Sequence, residues 1–148
     1  MLMKTIIVAI DFSTKTPHLL QEATNLARCF TAQVYLIHVA APEPDFIGYD
    51  VGPDDERQFR AHKLHQEKKD LEHYAEGLKR EGIKTTALLL QGETAKLLVK
   101  ESEKLNADVL IMGSHGKGIA RSAIMGSTCN DVIKHCQCPI LIVPSNTK

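Results

Sequence analysis

Five short apolar runs are spaced along the chain, with helix-length amphipathic stretches between them. The runs are Thr5 to Ile10, Gln33 to Val39, Lys84 to Leu90, Ala107 to Met112 and Ile140 to Val143. A strand covered on both faces reads as a continuous apolar run, not as an alternation, and the run from Thr5 is of that kind. Between the runs, apolar residues recur at helical spacing. Leu19, Leu20, Ala23, Leu26, Ala27 and Phe30 predict a helix over 16–31, with Pro17 suited to its first turn. Leu64, Leu71, Tyr74, Ala75 and Leu78 mark one face of a long charged helix over 55–81, with Gly82 as its C-terminal stop. Ala95, Leu98, Ser102 and Leu105 do the same for 93–105, and a further helix is expected over 122–136. Strands alternating with helices predict an α/β fold: a five-stranded parallel sheet, doubly wound, with helices on both faces and right-handed crossovers. A length of 148 residues suits one domain spanning 1–148. The stretch from Ala40 to Asp55 carries Pro42, Pro44, Gly48, Gly52 and Pro53 and reads as a long loop.

Charge and composition remove several classes of function. Lys+Arg and Asp+Glu are 18 each, so the chain lacks the basic excess of a general nucleic-acid binder. Trp is absent and aromatics make up 5%, which disfavours a base-stacking platform. No apolar run approaches the roughly 20 residues of a membrane span, and the N-terminus lacks the pattern of a secretory signal. The expectation is a cytoplasmic protein that engages neither nucleic acid nor membrane. Cys29, Cys129, Cys136 and Cys138 are then reduced thiols. The run His135-Cys136-Gln137-Cys138 lacks a second ligand pair at zinc spacing, so it reads as buried or half-buried thiols. His62, His65 and His73 lie among charged residues on the long helix and read as a solvated face. His38, at the end of the second strand, reads as a satisfied, partly buried histidine. Ser13 and Ser114 lack the G-x-S-x-G context of a nucleophile elbow, and no paired carboxylates are presented by local spacing.

The informative motif is Gly113-Ser114-His115-Gly116-Lys117-Gly118, continued by Gly126-Ser127-Thr128. It begins directly after the fourth strand and ends where a helix opens. Glycines let a backbone approach a ligand closely. Free N–H groups at a helix start, with the helix dipole behind them, favour phosphate. Ser127 and Thr128 can add hydroxyl donors and Lys117 positive charge. The pattern is neither a Walker A sequence nor the dinucleotide G-x-G-x-x-G.

This motif, read with Ile7-Val8-Ala9-Ile10-Asp11-Phe12-Ser13, Leu36-Ile37-His38-Val39, Asp108 to Gly116 and Cys138-Pro139-Ile140-Leu141-Ile142-Val143-Pro144, resembles the ATP-binding branch of the universal stress proteins across almost the whole chain. The resemblance implies a sheet order of 3-2-1-4-5, with its switch point between strands one and four. Ligands bind outside the strand ends at such a switch. It further implies that Ala9 and Asp11 line the nucleoside, that the backbone of Val39 meets adenine, and that Met112 and Gly113 wall the sugar site. His115, Gly116, Gly126, Ser127 and Thr128 form the phosphate cradle in the same correspondence. The implied cofactor is ATP (or ADP or AMP), with Mg²⁺ accompanying the triphosphate. The implied partner is a second copy through strand five, Ile140 to Val143, and an unidentified protein partner would sense the loaded state. The expected function is a nucleotide-dependent dimeric regulatory module in stress response. Two alternatives use the same fold: a slow ATPase or nucleotidyl or phosphoryl transferase, and a nucleotide-free dimeric adaptor.

Overall fold

The structure is a computed structural model and describes residues 2–42, 54–115 and 125–144. Element order is β1 (Thr5–Ala9), α1 (Thr16–Phe30), β2 (Gln33–Ala40), α2 (Asp54–Arg80), β3 (Thr85–Gln91), α3 (Thr94–Lys104), β4 (Val109–Gly113), α4 (Ser127–His135) and β5 (Ile140–Val143). The five strands form one parallel sheet in the order β3-β2-β1-β4-β5, as expected.

Register explains the two layers around it. Ile6 faces Val109, Ile7 faces Leu110 and Val8 faces Ile111 across β1 and β4. Successive side chains point to opposite faces of a strand. Ile6, Val8, Val109 and Ile111 therefore join one core cluster with residues of α1 and α2. Ile7, Leu110, Met112 and Ile37 join the other, with residues of α3 and α4. Both faces of β1 are buried, so its run is apolar at every position from Ile6 to Val8. Ile7 is 0% exposed, and Ile7→Ala costs about 2–5 kcal/mol through lost burial and the cavity left behind.

The helices stop for local reasons. Gly82 follows α2 with φ +85°, a left-handed conformation that glycine adopts without steric cost. Its N–H donates to the Lys79 carbonyl at 2.9 Å, and the Ile83 N–H to the Leu78 carbonyl at 3.1 Å. On α2, Leu71, Ala75 and Leu78 are buried, while His62, His65 and His73 are exposed, the solvated face expected of them. The loop expected over Ala40 to Asp55 lies mostly outside the described residues, which stop at 42 and resume at 54.

Candidate functional site

The switch point lies between β1, from which the chain continues through α1 to β2, and β4, from which it continues through α4 to β5. Helices α1 and α4 pack on opposite faces of the sheet, so a crevice opens between their N-termini at the C-terminal ends of the strands. It encloses about 180 Å³, and residues from β1, β2, β4, α1, α3 and α4 line it.

One part of the wall is apolar. Ile37 and Val39 of β2, Met112 of β4 and Leu98 of α3 contribute to it, and Ala9 lies at the end of β1. Asp11, two residues beyond β1, supplies a carboxylate. Its Oδ1 accepts the Ser13 N–H at 3.0 Å, and the Ser13 hydroxyl oxygen accepts the Lys15 N–H at 3.3 Å. These bonds fix the turn between β1 and α1. They also hold Asp11 half-buried, with its second oxygen unpartnered among the described residues.

The other part is polar. Ser114, His115, Gly126 and Thr128 line it. The Ser114 hydroxyl lies 3.0 Å from Nδ1 of His115. Gly126 is the N-cap of α4, in extended backbone with φ −71° and ψ 158°. Its N–H is spent on the Ser114 carbonyl at 2.8 Å, and the Asn130 N–H returns to the Gly126 carbonyl at 3.1 Å. Among the described residues, the groups left open at the helix start are therefore the N–H donors of Ser127, Thr128 and Cys129. No side chain caps them, and such a terminus attracts an anion.

Of the residues expected at the site, Ala9, Asp11, Val39, Met112, Gly113, His115, Gly126 and Thr128 all line this one crevice. Ser127 opens α4 with an exposed side chain and is not among the lining residues. Gly116, with Lys117 and Gly118, lies outside the described residues. A methyl group built on Gly113 would meet the His115 carbonyl at an ordinary 3.6 Å, so the fold itself does not demand glycine there.

Sequence reasoning missed the α1 side of the wall: Ser13, Lys15, Thr16 and His18, together with Thr94 of α3. The D-x-S-x-K spacing after β1 is the signal that could have found part of it. Asp11, Ser13 and Lys15 form one chain of side chain to backbone bonds. His38 also reaches the crevice. Its Nδ1 donates to the Ile10 carbonyl at 2.8 Å and its Nε2 lies 3.1 Å from Oε2 of Glu67, so it is the satisfied histidine expected.

Comparison with known proteins places this geometry in a family. A sequence profile of the universal stress protein family matches residues 3–144. A universal stress protein of Methanocaldococcus jannaschii is 30% identical over 99% of this chain and 85% of its own length. One from Thermus aquaticus is 31% identical over 95% of this chain and 98% of its own. The chain belongs to the universal stress protein family. Among solved structures, the hypothetical protein MJ0577 superposes with a TM-score of 0.86 at 25% identity, over the full length of both chains. A universal stress protein in complex with cAMP has a TM-score of 0.71 at 17% identity, covering 99% of this chain and all of that one. One from Archaeoglobus fulgidus in complex with dAMP has a TM-score of 0.65 at 21% identity, covering 96% of this chain and 98% of that one.

In this member of the universal stress protein family two of the four thiols, Cys129 and Cys138, are pushed toward the protonated form by their surroundings. Burial pushes the Cys129 thiol up where it lines the crevice. Burial and then the neighbouring Cys136 push Cys138 up to about 12. The two sulfurs lie 3.4 Å apart, with Cys136 also 3.6 Å from the Ser102 hydroxyl. A thiol held protonated is a poor nucleophile and a poor metal ligand. No group of three or more His, Cys, Asp or Glu side chains is placed to hold a metal among the described residues. Among the same residues no helix is long and apolar enough to cross a membrane.

Proposed function

We propose that this universal stress protein binds an adenine nucleotide, ATP in particular, in the crevice at the switch point. The observation that carries the reading is the pairing, in one crevice, of an apolar wall with an uncapped helix N-terminus. A nucleotide needs both: a dry surface for the base and donors for the phosphates. Val39 and Leu98 offer the first, and the open N–H groups of α4 with Thr128 the second. The unpartnered oxygen of Asp11 suits a ribose hydroxyl. The relatives with cAMP and dAMP support the adenine base. Asp11 is the one carboxylate among the described lining residues, so Mg²⁺ would be held by phosphate oxygens and water rather than by a protein cluster.

Residues 1–148 act as one binding unit in this reading, paired with a second copy through β5. The nucleotide-loaded dimer is the form a protein partner in the cytoplasm reads during stress. Occupancy becomes a signal through differential affinity of the nucleotide for two states of the protein.

The test is direct. Denaturing the purified protein and chromatographing the supernatant should release adenine nucleotide, and calorimetry should show ATP binding. Gly126→Val should abolish binding by filling the approach to the α4 donors. The extended backbone at Gly126 is open to any residue, so the substitution leaves the conformation accessible. Gly126→Ala should weaken binding less. A parent protein that binds no adenine nucleotide, or folded Gly126 variants that bind like the parent, would overturn the reading.

A further inference from the structure

Among the described residues, one buried side-chain polar atom lacks a hydrogen-bond partner: the hydroxyl of Thr16. Thr16 opens α1, is 1% exposed and lines the crevice. Burying a hydroxyl without a partner opposes folding. The helix does not explain it. A threonine in a helix can turn its hydroxyl onto a carbonyl three or four residues back. Here the Ser13 carbonyl receives the Thr16 N–H at 3.1 Å instead. The hydroxyl is not a cap either, because the N-cap is Lys15 and makes no side-chain cap bond. Valine would fill the same shape without the cost, so the free protein gains nothing from the oxygen.

The surrounding turn is built to hold this residue in place. Asp11 and Ser13 each fix the backbone two residues ahead, which carries the chain into α1 in one conformation. Pro17, next in sequence, has no N–H to offer. The first turn of α1 thus offers one backbone donor fewer than usual, and the Thr16 hydroxyl can supply another.

We propose that Thr16 is a ligand contact, its hydroxyl pairing with an oxygen of the bound nucleotide, from either ribose or phosphate. This rests on the nucleotide reading above and adds a wall to it: the ligand is gripped from α1 as well as from α4. Threonine in a helix has two accessible χ1 wells, so the hydroxyl can turn to meet the ligand without backbone movement. The oxygen is kept at the expense of the free protein and satisfied only on binding.

That trade gives the test a signature of opposite signs. Thr16→Val should raise the urea midpoint of the ligand-free protein. It should also weaken ATP binding, measured by calorimetry, by roughly tenfold, the loss of a hydrogen bond to a charged or strongly polar group. Thr16→Ser, which keeps the hydroxyl, should bind like the parent. Titrating adenosine, AMP and ATP separates the sources: a loss shared by adenosine assigns the ribose, and a loss confined to the phosphorylated ligands assigns phosphate. Thr16→Val binding all three like a parent that does bind them overturns this proposal alone. A lower midpoint with weaker binding makes the hydroxyl structural and also overturns it. A parent that binds none of the three overturns the nucleotide reading, and this proposal falls with it.

Discussion

Two aspartates stand at opposite ends of the β1–β4 pair, and the difference in how their oxygens are used separates scaffold from site. Asp108, just before β4, accepts the Lys4 N–H at 2.7 Å and the Thr5 N–H at 2.9 Å on one oxygen, Oδ2. It pins the start of β1 beside the start of β4. Asp11, beyond the far end of β1, spends one oxygen on its own turn and keeps the other for the crevice. Between Asp11 and Ser13, Phe12 adopts φ +59°, a left-handed conformation that costs a non-glycine residue about 1–2 kcal/mol. Its ring packs 4.4 Å from His38 and 6.4 Å from Tyr74, centroid to centroid. Packing there holds a strained turn beside the crevice, and such strain tends to cluster at functional sites. The Asp108 clamp predicts a pH effect. The Lys4 and Thr5 N–H groups hold its carboxyl below the usual carboxylate range. A group depressed in the folded state contributes stability that is present above its unfolded value, near 3.9, and lost as pH falls through the folded one. Asp108→Asn should therefore cost about 1 kcal/mol at neutral pH. The gap to the parent should narrow as urea unfolding is repeated at pH values below about 4. A gap that stays constant down to the acid limit would show that the charge plays no part.

At the scale of elements, the long helix α2 is tied to the site by a side-chain hydrogen bond as well as by the Phe12–Tyr74 ring contact. The Ile10 carbonyl can only accept, so Nδ1 of His38 carries a proton. The contact between Nε2 and Glu67 then needs one more proton, on either partner. His38 and Glu67 side chains are 12% and 15% exposed, so water competes weakly with this bond. It joins the end of β2, the exit of β1 and the middle of α2. Glu67→Ala is expected to lower stability by about 1–3 kcal/mol. Glu72→Ala, on the exposed side of the same helix, should stay within about 0.5 kcal/mol of the parent. Equal urea midpoints for the two variants would show that the tie carries no energy. Nothing in the sequence pairs His38 with Glu67; 29 positions separate them, and only the α2 crossover brings them together. The elements themselves were legible because their patterns are local. The run from Ile140 and the helix from Thr16 start where periodicity and proline place them. Boundaries shift where a backbone detail overrides pattern. The fourth strand begins at Val109, not Ala107, because Asn106 turns left-handed at φ +49° and the Ala107 N–H is held by the Ser102 carbonyl. The fourth helix, expected from 122, is not helical at Met125 and Gly126, since the extended Gly126 is its cap. The site was legible in part for the same reason. Asp11 and Gly113 stand at strand ends, which topology converges. Lys15, Thr16 and Thr94 reach the crevice from helix starts whose placement depends on packing, so their residue types alone carried no signal.

For the whole molecule, the open question of assembly turns on β5. Among the described residues it pairs with β4 on one side only, so its other edge presents N–H and C=O groups that no described strand takes up. Pro139 and Pro144 bracket its four residues. Proline cannot donate to a ladder, so added strand pairing is confined to that short window. Within it, Leu141 is 40% exposed, and Ile133 on the preceding helix is 42% exposed. A short apolar edge between two prolines is poorly suited to open-ended growth and well suited to one partner of equal length. A two-fold axis across two such edges sets them antiparallel, matches each window to its copy and leaves no β5 edge free. The zero formal net charge adds no general repulsion to such a pair. The protein is therefore expected to sediment as a dimer at roughly tens of micromolar, a range that a standard interface of about 800 Å² per partner readily supports. Leu141→Lys places a charge on the edge, a device by which sheets avoid pairing. It should give a folded monomer with the far-ultraviolet circular dichroism of the parent. Phe59, on α2, is more exposed still at 68%, and Phe59→Lys serves as the control for nonspecific hydrophobic association. If the parent sediments as a monomer, β5 is an unpaired edge and the dimer is wrong. If Leu141→Lys remains a dimer while Phe59→Lys dissociates, the contact belongs to the exposed half of α2 instead of to the sheet.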